Sequence, residues 1–138
     1  MGGDQVSTSG GEGWIAVDLD GTLATYDHWR GIDHIGAPIP LMVSRVRAWL
    51  AEGREVRIFT ARACPANISQ WGELRVMWPI REWCKEHLGQ QLLITATKDF
   101  TMAELWDDRC TQVVTNTGQL VVGAIDEARR EGERVRGG

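Results

Sequence analysis

A chain of 138 residues with a formal net charge of −4 and 43% hydrophobic residues has room for one domain around one core. No apolar run approaches the ~20 residues of a membrane span, and the acidic balance counts against broad nucleic-acid binding, which needs a basic surface to release counterions. At this length roughly two thirds of the unfolded surface is buried on folding, so neither disulfides nor a structural metal is required.

Residues 1–13, MGGDQVSTSGGEG, are Gly-, Ser- and polar-rich without the basic-then-apolar layout of a signal peptide, and read as a flexible tail. Residues 135–138 read likewise, which leaves 14–134 for the domain. Residues 14–19, WIAVDL, predict a short buried strand that ends in a turn at Asp20-Gly21. Residues 22–40 are rich in Gly, Asp and Pro and predict a loop or short hairpin. A helix is expected over 41–52, with Leu41, Val46, Trp49 and Leu50 on its apolar face and Gly53 ending it. Residues 56–60 predict a second buried strand. The pattern over 68–88 is helical, with Leu74, Trp78, Trp83, Cys84 and Leu88 on one side, and Pro79 should kink it or begin a new helix. Strands are expected at 92–95 and 103–106, a fifth at 112–115, and a terminal helix over 122–131.

Alternation of helices with uniformly apolar strands argues for an α/β fold. The expectation is one Rossmann-like domain with a parallel sheet of about five strands and helices on both faces. Ligands of such sheets bind at the carboxyl ends of the strands. Asp18, Asp20, Thr60, Lys98, Asp107 and Asp108 all follow predicted strands. Cys64, Cys84 and Cys110 are odd in number and widely spaced, which argues for a reducing, cytoplasmic setting and against a zinc cluster.

Asp18 and Asp20 stand two apart at a strand end and project to one side, where they repel unless a cation or a proton sits between them. The segment reads equally well, by itself, as an Asp-Gly hairpin turn. Adjacent acids such as Asp107-Asp108 are commonly a solvated face, but two such strand ends together could hold Mg²⁺. Thr60 could cap a turn or grip a phosphoryl oxygen, and Lys98 could be solvated or offset the charge of a transferring group.

Taken in order, DLDGT at Asp18 to Thr22, IFTAR around Thr60, Lys98 and the pair Asp107-Asp108 resemble the phosphatases of the haloacid dehalogenase superfamily. The resemblance spans residues 14–114. It implies that Asp18 is the nucleophile, Asp20 the general acid/base, and Thr60 and Lys98 the holders of the phosphoryl group. It also implies a Mg²⁺ cofactor at Asp18, Asp20 (through its backbone carbonyl), Asp107 and Asp108, with Asp107 favoured for the direct contact. Residues 24–40 suffice for a small flap, and neither that gap nor 63–91 holds a full cap domain. A Cys/His loop of the zinc-binding capless members is missing. The tracts DDRCTQVV and TAR are similar to the phosphatase half of polynucleotide kinase–phosphatases and to phage and prophage proteins of this superfamily. Two departures are the β-prone stretch after Asp108 and the short spacing from Lys98 to the acid pair, which leaves little room for the usual helix.

The expected activity is Mg²⁺-dependent hydrolysis of a nucleotide-like or other small phosphate ester. Arg62, Arg109, His28, Trp29 and Arg30 are candidate substrate contacts, with surface ion pairs as the alternative for Arg30 and Arg109. Trp29 could stack on substrate or anchor the flap. Rival readings are a 3′-end nucleic-acid phosphatase, which the charge balance disfavours, a non-catalytic phosphate-binding or assembly protein, and a two-metal nuclease. No membrane partner is expected, and the sequence leaves the oligomeric state open.

Overall fold

The computed structural model describes residues 13–121. Four strands, β1 (Trp14–Val17), β2 (Glu55–Phe59), β3 (Leu93–Thr95) and β4 (Met102–Trp106), form one sheet in the order β3-β2-β1-β4, and every neighbouring pair is parallel. The expected α/β architecture is therefore present, a parallel sheet flanked by helices, but among the described residues it has four strands. β1 is buried along its whole length, as its unbroken apolar run requires of a central parallel strand.

Three helices, α1 (Pro40–Ala51), α2 (Pro65–Trp71) and α3 (Glu73–Leu88), occupy the crossovers. Ile15, Val17, Val56 and Ile58 on one side of the sheet share a cluster with Met42 and Val46 of α1 and Ile80, Trp83, Cys84 and Leu88 of α3. Thus α1 and α3 pack on one face, where helices on both were expected. The opposite side carries Trp14, with the Arg57 guanidinium 4.3 Å over its ring. Here the β3–β4 connection, residues 96–101, passes as a strap without a helix: Asp99 accepts a 2.9 Å hydrogen bond from Trp14 Nε1 and lies 3.7 Å from Arg57. The short spacing from Lys98 to the acid pair has this consequence.

Several expectations need correction. The helical pattern over 68–88 is broken at Gly72, not Pro79. Gly72 takes φ +87°, which an L side chain rarely adopts, whereas Pro79 sits inside α3. The missing proline N–H frees only the carbonyl of exposed Arg75, which water can satisfy. Leu74 and Trp78 are accordingly on the outer side of α3 at 68% and 54% exposure, and the buried stripe is Val76, Ile80, Trp83, Cys84 and Leu88. In α1 the buried pair is Met42 and Val46, with Leu41 exposed.

The chain divides into compact units after Asp108. In the second unit, the predicted strand at 112–115 is only half of a small antiparallel ribbon: Val113 bridges Leu120, and Asn116 turns at φ +66°. It is not a fifth strand of the sheet among the described residues. The predicted terminal helix at 122–131 and both tails (save Gly13) lie outside those residues. No described helix is long and apolar enough to cross a membrane.

Candidate active site

The strand order turns back at β1: β2 and β3 lie to one side of it and β4 to the other. In an open parallel sheet this switch point leaves a crevice at the carboxyl ends of the two diverging strands. Asp18 follows β1 and Asp107-Asp108 follow β4. The Asp18 N–H donates to the Trp106 carbonyl at 2.9 Å, so the pairing continues to the lip of the crevice. Beyond Asp18 the chain folds over buried Leu19: the N–H groups of Leu23 and Ala24 both donate to its carbonyl, at 3.0 and 2.9 Å. Leu19, Leu23 and Ala24 are fully buried, and they hold the acid-bearing turn from beneath.

Carboxylate oxygens of Asp18, Asp107 and Asp108 all lie within 4.8 Å of one another. Burial first, then the Asp107 charge, a hydrogen bond with Asp108 and the charges of Asp108 and Asp20 push the Asp18 carboxyl up to about 7. Three acids this close cannot all ionise without a neutralising proton or cation. Their hard oxygen donors fit Mg²⁺, which takes a few carboxylates and completes its shell with water and substrate oxygens. Thr22 ties the two loops together. Its hydroxyl accepts from the Asp108 N–H at 2.9 Å and lies 3.2 Å from Asp108 Oδ1 and 3.4 Å from Asp18 Oδ2.

Gly21 makes this approach possible. Its φ is +95°, and a Cβ there would stand 2.6 Å from Asp108 Oδ2. Gly21→Ala is expected to cost about 1–3 kcal/mol in backbone strain and to push the acids apart. Thermal melts with and without Mg²⁺ check this: the variant should lose melting temperature and, if the acids hold Mg²⁺, most of the rise the ion induces.

Asp20 points elsewhere. Its Oδ2 and Oδ1 accept from Nε and Nη2 of Arg62 at 2.8 and 2.9 Å, a two-pronged pair. Arg62 is 6% exposed; it also donates from Nη1 to the Ile32 carbonyl and from Nη2 to the His34 carbonyl. Both carbonyls belong to the flap, residues 24–40. The flap is closed by N–H bonds from Thr25 to the Ala37 carbonyl and from Ile39 to the Leu23 carbonyl.

Other expected site residues fall into separate places. Thr60 is buried, and its hydroxyl accepts from the Arg62 N–H at 3.1 Å, capping a single 3-10 turn at Ala61–Ala63. Lys98 is exposed on the strap and makes no ion pair with the acids among the described residues. Arg30 and His28 are gathered by Asp27, which accepts from Arg30 Nη2 at 2.6 Å and from the His28 N–H at 2.7 Å. The neighbouring donors hold the Asp27 carboxyl below its usual range. Trp29 is 48% exposed, outside the core cluster, with its ring 4.9 Å from the Arg62 guanidinium carbon. Arg109 is exposed and opens the second unit. Asp27 and the Arg62–Asp20 pair were not foreseen; an acid three residues from Arg30 was the only local signal for the first.

Beside the flap lies a groove of about 790 Å³ lined by Asp33, Trp71, Leu74, Arg75, Trp78 and Pro79. Its aromatic wall is the outer side of α3 described above.

Fold and site together define a Rossmann-like α/β chain with an acidic crevice at the switch point of its sheet. A conserved protein of Bacteroides thetaiotaomicron has a solved structure similar to it, with a TM-score of 0.51 and 20% sequence identity, over 88% of this chain and 92% of that one. At that identity the likeness carries the fold alone. No family model and no curated protein matches the chain.

Proposed function

We propose that this chain is a Mg²⁺-dependent phosphomonoester hydrolase working through an aspartyl-phosphate, with a nucleotide-like or other small phosphate ester as substrate. The observation that carries the reading is the meeting of Asp18, Asp107 and Asp108 within 4.8 Å at the ends of β1 and β4, with Asp20 two residues beyond Asp18. The motif order resembling haloacid dehalogenase phosphatases adds to it.

On this reading an Asp18 carboxylate oxygen attacks phosphorus as the bond to the leaving oxygen breaks, which splits one hard hydrolysis into two easier steps. Asp20, whose two oxygens accept from Arg62 at rest, takes up a proton from solvent and gives it to the leaving oxygen. It then takes one from the water that attacks the aspartyl-phosphate and restores free Asp18. The carboxylates of Asp18, Asp107 and Asp108 and the Asp20 carbonyl would hold Mg²⁺, which supplies neutralisation of phosphoryl charge. Thr60 and Lys98 keep their expected role of contacting phosphoryl oxygens only if substrate draws them in. Half-exposed Trp29 supports a planar substrate group. Cys64, Cys84 and Cys110 are thiols and not disulfides, which suits a reducing cytoplasm.

A screen of nucleotides, sugar phosphates and 3′-phosphorylated oligonucleotides, with and without Mg²⁺, tests the proposal. Mg²⁺-dependent phosphate release from the small esters supports it, exclusive action on oligonucleotides would move it to 3′-end repair, and no release from any would overturn it. If Trp29 stacks on the preferred substrate, Trp29→Ala should raise KM about 5- to 150-fold while leaving p-nitrophenyl phosphate nearly unaffected. Equal losses on both substrates, with a lowered melting temperature, would assign Trp29 to the flap alone.

A further inference from the structure

We propose that Arg62 is a positioning residue that couples the flap to Asp20, setting the direction of that carboxyl according to where the flap lies. The proposal rests on reading Asp20 as the acid/base for its catalytic half only; the mechanical half stands on geometry.

A general acid acts only within hydrogen-bond reach of the atom it protonates. Asp20 lies on a turn beyond a strand end, where an aspartate would ordinarily sample several rotamers. Arg62 removes that freedom, because a planar fork meeting both oxygens admits one orientation of the carboxylate plane. The fork is in turn held by the flap. The Ile32 carbonyl takes Nη1 at 3.1 Å, the His34 carbonyl takes Nη2 at 2.7 Å, and the Trp29 ring lies against the guanidinium face. At its other end Arg62 is fixed to the turn after β2 and to α2, its N–H on Thr60 Oγ1 and its carbonyl accepting from Asn67 Nδ2. A flap shift of about 1 Å would break a carbonyl bond or turn the fork and Asp20 with it. Substrate touching Trp29 would thus act on the acid/base without touching it. Lysine cannot substitute, because one ammonium lacks a planar fork that reaches two oxygens and two separate carbonyls.

The test uses the full chain with Mg²⁺, comparing wild type, Arg62→Lys, Asp20→Asn and the double variant on p-nitrophenyl phosphate and on an alkyl phosphate. Arg62→Lys should lower kcat about 100-fold on the alkyl ester and under about 10-fold on the aryl ester, with KM moving less than about 3-fold. The double variant should be no slower than Asp20→Asn, because both changes remove one unit of action. Losses that multiply, or an equal loss on both esters, would overturn the positioning role. Independently of activity, hydrogen exchange at the Thr25 and Ile39 amides should speed about 10-fold in both Arg62→Lys and Asp20→Asn, with the Ile58 amide of the core as control. Unchanged flap exchange, or equal acceleration at Ile58, would overturn the coupling. A wild type that hydrolyses neither ester would sink the phosphatase reading alone, and the exchange experiment would still decide the coupling.

Discussion

Asp18→Asn should abolish phosphate release while leaving a folded, more stable protein. The amide is a far weaker nucleophile than the carboxylate, so a mechanism that passes through Asp18 has no detour. A rate fall of at least about 10⁴-fold is expected, within the range that removing a nucleophile produces. Stability should move the other way. In the metal-free fold the Asp18 carboxyl titrates at about 7, well above the ordinary aspartate value near 4. A group whose folded pKa is raised lends stability below the unfolded pKa and loses it as pH climbs through the folded one. The wild type should therefore weaken between about pH 4 and 7, and Asp18→Asn should not. Allowing for solvent screening of this half-buried site, the gain at pH 8 is roughly 1–2 kcal/mol, about 5–10 °C in Tm. Calorimetry over that pH range reads the difference. Residual turnover of even a few per cent in the pure variant would sink the covalent route.

Chelation carries the second large effect. If Mg²⁺ sits among Asp18, Asp107 and Asp108, EDTA should remove essentially all activity, and added Mg²⁺ should restore it. Mg²⁺ should also stabilise the fold by mass action, about 2.7 kcal/mol when free ion reaches 100 times Kd. Asp107→Ala should abolish most of that rise by taking away one of three converging carboxylates. Fluoride complexes of beryllium or aluminium should raise Tm further in the wild type and not in Asp18→Asn. Full activity in EDTA would contradict the metal assignment.

The sheet was legible because β1 is an unbroken apolar run and the other strands are short segments with no competing helical period, each starting within about two residues of its expected place. Asp18 was legible as a strand-end acid, but Asp20, expected to project beside it, turns to Arg62 instead. The helix faces were less legible. Leu74 and Trp78 look like core residues by type, but the break at Gly72 sets a different phase for α3 and turns them outward. Nothing local links Arg62 to Asp20, 42 residues away, because that pair exists only once β1 and β2 lie side by side. Lys98 was placed by its distance from β3 in sequence. It lies exposed on the strap, whose next residue, Asp99, bonds Trp14 at the amino end of β1.

That strap has a consequence for how the chain tolerates changes of length. Thr95 is level with Phe59, and Met102 is level with Trp14, on opposite edges of the sheet. The passage must cover about 14 Å sideways at roughly 4.8 Å per strand spacing, and about 13 Å back along the strands. The straight diagonal is therefore about 19 Å, before any climb over the Trp14 and Arg57 side chains. Seven extended steps reach at most about 25 Å. Little cord is left over. Shortening it by two residues, to a reach of about 18 Å, would drag β4 along its neighbour and swing Asp107 and Asp108 out of line with Asp18. The flap joins two ends that already lie side by side, so its length can vary wherever the Ile32 and His34 carbonyls keep their bonds to Arg62. Variation in this architecture meets one loose loop and one taut one, and Asp107 and Asp108 hang from the taut one.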